Sequence, residues 1–440
     1  MNLEQAKPQP SNWTVPFFTI WTGQAFSLVG SSLVQFALVW WLTQSTGSAT
    51  VLATATLVAI LPSVLLGPFA GALVDRWNRR VVMMVADGFI ALATLGLAYL
   101  YSIGAMQVWH VYVIMALRAI GGSFHWPAMQ ASTSLMVPKE HLSRVAGLNQ
   151  TIQGALNIVC PPLGALLLGV LPLHSIMMID VTTAALAILP LFFVHIPQPQ
   201  RVAPVALAEG NKPSLWDDVR EGLRYIWNWP GVMAMLIMAT MINFLFNPAF
   251  SLMPILVTKH FGGQAMQLAW IDSAWGIGVV VGGLTLSVWG GFRRRILTTL
   301  VGLVGMGLGT LVIGLSPATA FELALAGMLL AGFMNPITNG PTFAVIQSVV
   351  APEMQGRVFT VIGSLTAAMS PLGMAIAGPV ADAFGVQVWF VMGGVVCVLM
   401  GLIAFFIPAI VHLEDGRGEY AATELEMVRV APAAADMVGE

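Results

Sequence analysis

Arg118, Asp180 and Asp272 are ionisable side chains deep inside long apolar runs. Charge at such positions is costly, at least about 2.5–3.5 kcal/mol at a bilayer centre, and marks ion pairs or proton pathways. An aspartate in an apolar cavity can take up and release a proton as its access changes sides. Asp272 is the first candidate for that role and Asp180 the second; the alternative for either is a fixed pair with an arginine. Asp87 lies near one end of its run and reads as part of a surface cluster described below. Glu322 and Asp382 lie close enough to the other end of theirs to be solvated. His125 shares a helical face with Arg118, seven residues on, and reads as a packing or hydrogen-bonding residue.

Side-chain amides recur at helical spacing. Gln24, Ser31 and Gln35 stand at i, i+7 and i+11, with Ser27 at i+3. Asn149, Gln153 and Asn157 repeat every fourth residue, as do Asn243 with Asn247 and Asn335 with Asn339. An unpaired amide in lipid is costly, so these stripes must face other helices or a water-filled cavity. Interhelical hydrogen bonds, about 0.6 kcal/mol each, account for any single one of them. Aromatic residues cluster beside the stripes: Phe36, Phe124, Phe246 and Trp275 among them. A mostly apolar pocket with a few polar anchors is the composition of an amphipathic ligand site. Trp40, Trp41, Trp109 and Trp389, near the ends of their runs, read as interfacial or packing residues.

The elements that position these residues follow from composition. The chain has 440 residues, 57% hydrophobic and only 9% charged, with a mean hydropathy of +0.83. Soluble domains carry about 25% charged residues, so the sequence is that of an all-α membrane protein in a lipid bilayer. With a net charge of −2 it lacks the basic surface that nucleic acid requires. Cys160 and Cys397 both lie in apolar runs, which leaves no disulfide framework. No metal and no cofactor are expected. The four lysines, Lys7, Lys139, Lys212 and Lys259, belong to no phosphate-binding Gly-Lys-Ser/Thr loop. Neither a His-Glu-x-x-His nor a Gly-x-Ser-x-Gly sequence occurs, so an embedded hydrolase lacks its residues.

Runs of about 20 apolar residues span a bilayer, and twelve are present. They cover roughly 17–42, 50–73, 80–102, 107–128, 145–170 and 173–195, then roughly 230–258, 266–290, 295–316, 320–345, 356–381 and 386–411. The first run is too long for a cleaved signal segment. The division is a tail (1–16), a six-helix bundle (17–195), a linker (196–229), a second bundle (230–411) and an acidic tail (412–440) that reads as disordered. In the linker, Ser214 and Asp217 look like the start of an amphipathic helix with Leu215, Trp216, Val219, Leu223 and Ile226 on one face. All but two of the 18 Lys and Arg, Arg118 and Lys259, fall in the tails, the linker or the loops on one side. The positive-inside rule makes that side, with both termini, cytoplasmic.

The halves repeat. Pro127 and Pro138 are followed by Arg144, as Pro341 and Pro352 are by Arg357, and Pro161-Pro162-Leu163-Gly164 returns as Ser370-Pro371-Leu372-Gly373. Two such halves about a central loop are the pattern of a transporter repeat. The segment 67–80 joins Gly67 and Gly71 to a loop with Asp75, Arg76, Arg79 and Arg80. Arginine forks grip carboxylates and helix C-termini, and an acid favours a helix N-terminus, so the cluster can latch two bundles; plain charge topology is the alternative.

This segment resembles the signature of the major facilitator superfamily between its second and third helices. Asn78 stands where that family prefers Gly, Asn being next best for a left-handed backbone. Arg118 with Gly121-Gly122 resembles the fourth-helix motif, a buried arginine tied to proton transfer, and Pro161 with Gly164-Ala165 the fifth-helix motif of antiporters, although Cys160 and Ala165 replace its usual glycines. Much of the first half, including Gly23-Gln24, residues 27–32, residues 46–49 and Asp87-Gly88, is similar to the drug:proton antiporter and macrolide-efflux branch.

The resemblance implies twelve transmembrane helices in two pseudo-symmetric bundles, and a proton-coupled exporter of small amphipathic drugs in the bacterial cytoplasmic membrane. It implies a monomer that works by alternating access. Protons would pass by Asp272 and Arg118. Substrate would meet Gln24, Ser31, Gln35, Phe36, Phe124, Asn149, Gln153, Asn157, Asn243, Phe246, Asn247, Trp275, Asn335 and Asn339. Gly71, Asp75, Arg76, Arg79, Arg80 and Asp87 would form the cytoplasmic gate. Siderophore or lipid-like export, and a non-transporting scaffold or sensor, are the alternatives.

Overall fold

The computed structural model describes residues 13–194, 196 and 215–414. Within these, twelve helices of 18 residues or more follow one another: α1 (Thr14–Thr46), α2 (Ala49–Arg76), α3 (Arg79–Ser102), α4 (Val108–Met136), α5 (Leu142–Val170), α6 (Leu173–Phe193), α7 (Pro230–Ser251), α8 (Ala265–Trp289), α9 (Arg295–Leu315), α10 (Phe321–Val349), α11 (Pro352–Phe384) and α12 (Gln387–Ala404). Eleven are long and apolar enough to cross a membrane. The other is α4, 29 residues long, whose apolar run is interrupted by Arg118 and His125. A thirteenth, shorter linker helix, Leu215–Trp227, precedes α7. Most of the expected tails and of the expected linker, with the Ser214 cap, lie outside the described residues, as do the side chains at Leu215, Trp216, Asp217 and Val219.

Four helices, α1, α4, α10 and α11, run a turn or more past the predicted apolar limits, because their polar ends are helical as well. The second bundle departs at two places. α7 stops at Ser251, after Pro248 removes an amide donor, and a short turn (Met253–Ile255) with a π-turn (Leu256–His260) carries the chain on. α12 stops at Ala404 instead of reaching residue 411, because the Phe405–Ile407 break precedes the separate turn Pro408–Val411. The α1–α2 turn is made at Gly47, φ +59°, whose N–H returns to the Thr43 carbonyl at 2.9 Å. Asn78 is not left-handed: it is extended at φ −70° and caps α3, its side chain accepting from the Arg80 N–H at 3.1 Å.

Two bundles result, α1–α6 and α7–α12. In the first, α1 packs on α6 and α5, and α4 on α2 and α3; in the second, α10 packs on α8 and α9, and α11 on α7. The bundles touch along two seams, α2 with α11 and α5 with α8, which are exchanged by the same six-helix offset. Both seams are tight in the middle and toward the face bearing the α1–α2 turn. A Cβ on Gly276 would lie 2.8 Å from Ile158 Cγ1, and the Ser273 hydroxyl donates to the Ile158 carbonyl at 2.8 Å. At the other face, which carries Arg76, Arg79, Arg80, Arg144 and Arg357 and is called the basic face below, the seams part. Gly67 and Gly71 of α2, Gly147 of α5, Gly283 of α8 and Gly356 and Gly363 of α11 have open space where a side chain would sit. Leu65 and Phe69 on α2 are exposed. The molecule is therefore open at the basic face and closed at the opposite one.

The linker helix lies on the start of α11. Its Ile226 is fully buried, the Tyr225 hydroxyl accepts from the Ala351 N–H at 3.3 Å, and Glu221 pairs with Arg357 at 3.0 Å.

Candidate functional site

A cavity of about 930 Å³ lies between the bundles. From the first bundle it is walled by Gln24, Ser27, Ser31, Gln35 and Phe36 on α1, Asp87 and Ile90 on α3, Arg118 and His125 on α4, and Asn157 and Cys160 on α5. From the second come Asn247 and Phe250 on α7, Asp272 and Trp275 on α8, and Met328 on α10. One face of α1 supplies the amide stripe, as its i, i+7, i+11 spacing requires. The walls mix aromatic rings with a few polar groups, and the volume suits a large ligand.

Three carboxylates lie in or behind these walls, and each has a different environment. Asp180 is 1% exposed and lies behind the cavity. It takes Arg118 Nη1 at 2.5 Å, Ser31 Oγ at 2.9 Å and Thr94 Oγ1 at 3.2 Å, while Arg118 also donates to Thr94 Oγ1 at 2.7 Å. The network ties α1, α3, α4 and α6 together and pairs Asp180 with Arg118. Asp87, 5% exposed, receives Gln24 Nε2 at 2.9 Å on one oxygen, and His125 Nε2 is 3.2 Å from the other. Asp272 is half-buried at the cavity wall, and no hydrogen bond or ion pair reaches its carboxylate among the described residues.

Asp87, expected near the surface cluster, is buried and lines the cavity. It lies eight residues inside α3, about 12 Å along the axis from the helix start, where the buried Gln24 and His125 are its neighbours. His125, expected to be a packing or hydrogen-bonding residue, lines the cavity with Nε2 3.2 Å from Asp87. Of the cluster itself, Arg80 Nη2 donates to the Phe192 carbonyl near the C-terminus of α6 at 2.6 Å, Arg79 is buried and Arg76 is exposed. The side chain of Asp75 lies outside the described residues.

The cavity gathers Gln24, Ser31, Gln35, Phe36, Asn157, Asn247 and Trp275 from the expected substrate set, with Arg118 and Asp272. Seven others are elsewhere. Asn149 accepts from Trp21 Nε1 at 2.7 Å, Asn243 accepts from Asn247 Nδ2 at 2.9 Å, and Asn339 Nδ2 donates to the Asn335 carbonyl at 3.0 Å. Phe246 is core, 6% exposed. Phe124 stacks on Trp77, centroids 6.2 Å apart, in an apolar groove between α3 and α4. Gln153 is half-buried outside the cavity wall. Phe250 and Met328 line the wall without having been foreseen. Phe250 is one turn past Asn247 on the same face, a signal that was legible; Met328 has none.

A sequence profile described as Major Facilitator Superfamily matches residues 20–261 and 232–428. The chain belongs to that superfamily. It is 33% identical over 405 residues to macrolide efflux protein A of Streptococcus pyogenes, covering 92% of this chain and 98% of the relative. It is 30% identical over 414 residues to the multidrug efflux pump Tap of Mycobacterium tuberculosis, covering 91% and 95%. In fold it is similar to the solved structure of a bacterial homolog of the human lysosomal transporter Spinster, in an inward-facing and unoccupied conformation (TM-score 0.67, 13% identity, 94% of this chain and 98% of that one). It is likewise similar to a D-xylose–proton symporter (TM-score 0.62, 12% identity, 88% and 96%). These matches make the chain a multi-pass membrane transporter, with the twelve-helix architecture that its repeat predicts.

Proposed function

We propose that this transporter exports amphipathic drugs such as macrolides from bacterial cells in exchange for protons, by alternating access and as a monomer. The basic face is the cytoplasmic one and both termini are inside, in keeping with the positive-inside rule. The observation that carries the reading is the lone Asp272 carboxylate in a large, aromatic-lined cavity. Arg118 is already neutralised by Asp180, and Asp87 is held by Gln24 and His125. Asp272 is the acid left to exchange a proton with the cavity, while Phe36, Phe250 and Trp275 offer apolar surface to a ligand and Gln24, Gln35 and Asn247 anchor its polar groups. The efflux activities of the relatives support the substrate class.

In this reading the segment 67–80 latches the cytoplasmic side when it closes, with Asp75 set against the second bundle. The open basic face is the state that admits substrate. Asp272→Asn keeps the shape and removes the proton site. It abolishes macrolide resistance and proton-driven dye efflux while ligand binding persists. Undiminished efflux at normal expression removes Asp272 from the mechanism.

A further inference from the structure

Asp382, the third residue from the end of α11, makes a contact across the bundles that the cavity chemistry does not use. Its carboxylate accepts three hydrogen bonds of 2.9 Å, from Ser48 Oγ and from the backbone N–H groups of Ala49 and Thr50. Ser48 is the N-cap of α2, and Ala49 and Thr50 are its first two residues. First-turn amides have no acceptor inside their own helix, and the positive end of the helix dipole lies there. A carboxylate from another helix is thus a charge-assisted cap. It joins residues more than 330 positions apart, one in each bundle.

The packing around it is equally close. A Cβ on Gly378, one turn before Asp382, would lie 2.7 Å from Thr50 Cα and 3.0 Å from Ala53 Cβ. A glycine at that position lets α11 approach near enough for its acid to reach the end of α2. Toward the basic face the same two helices separate, with open space at Gly67 and Gly363. A rocking motion that closes the basic face must part α2 from α11 at the opposite one, and so must pull Asp382 off its three donors.

We propose that Asp382 is the residue that holds the opposite-face gate shut, and that its release is a step every transport cycle passes through. α2 and α11 run antiparallel, so each brings its C-terminus to the other's N-terminus. Asp75 is the second-last residue of α2, as Asp382 is the third-last of α11. This gate goes beyond the drug and proton reading, because it requires neither a substrate nor a pH gradient.

The test is the distance between spin labels at Leu65→Cys on α2 and Thr360→Cys on α11, with Cys160 and Cys397 replaced by Ala, in the full-length protein. Both positions are exposed, on the half of each helix nearer the basic face. The long, basic-face-open distance dominates in the parent. Removing an N-cap shifts a helix-end equilibrium roughly 2- to 30-fold. Asp382→Asn moves the population toward the short distance by a factor in that range. Ser48→Ala moves it the same way by less, and adds nothing to Asp382→Asn, since both break one contact. Unchanged distance distributions in both single variants overturn the proposal. Should Asp382→Asn fail to fold, Ser48→Ala decides alone.

Discussion

Arg118 and Asp180 show why two charges survive inside a bundle. Each is costly in hydrocarbon, but the guanidinium has Asp180 and Thr94 as acceptors, and the carboxylate has donors from three helices. Removing one partner of a buried pair costs about 3–5 kcal/mol, because the other is left charged and alone. Asp180→Ala should therefore lower the melting temperature of the purified transporter well below that of Asp272→Asn, which breaks no bond. Equal melting temperatures would contradict the network. Around Asp87, Gln24→Ala takes away a donor to a buried charge, worth about 1.5–3 kcal/mol, and His125→Ala takes away a ring whose Nε2 lies 3.2 Å from it. Thermal unfolding of the two variants measures this, and no loss of stability would place Asp87 outside the network. The sequence exposed the rarity of Arg118, Asp180 and Asp272 but not which of them pair. Pairing depends on how α1, α3, α4 and α6 are rotated about their axes, and that follows from packing among all four.

At the scale of the helices, seam contacts set what can move. Gly378→Val places a side chain against Thr50 Cα and wedges α11 away from α2. Transport should fall sharply in a protein that still elutes as the folded parent does, and wild-type efflux would show that the seam need not close. The linker helix is held differently. Glu221 is 56% exposed and Arg357 32%, and pairs so wet contribute at most about 1 kcal/mol. Glu221→Gln should leave the melting temperature nearly unchanged, whereas a large drop would mean that the pair anchors the linker. Helix number and order were legible from apolar runs and turn residues. The stripe on α1 was legible too, since its period is that of a helix. Asn335 and Asn339 misled because helical spacing fixes a shared face but not its partner. Asn339 bonds back to its own helix, and Met328, two turns toward the opposite face, meets the cavity. The cap at Asp382 was invisible because it joins residues more than 330 apart, and only the antiparallel course of α2 and α11 brings them together.

The whole molecule combines a sealed opposite face, a parted basic face and a cavity into which both bundles send polar groups. Such a cavity serves as a carrier only if its access alternates and the driving ion meets a group inside it. The repeat in the sequence anticipated the two bundles; the open side was not legible, since one sequence must specify both states. The central claim is that proton movement drives substrate movement through Asp272. It is tested most directly in proteoliposomes, by following a labelled macrolide under an imposed pH gradient in the parent and in Asp272→Asn. The account predicts accumulation in the parent against the macrolide's own gradient, collapse of that accumulation on adding a protonophore, and none in Asp272→Asn. Accumulation of equal size in the variant, or in the parent without a pH gradient, would contradict it.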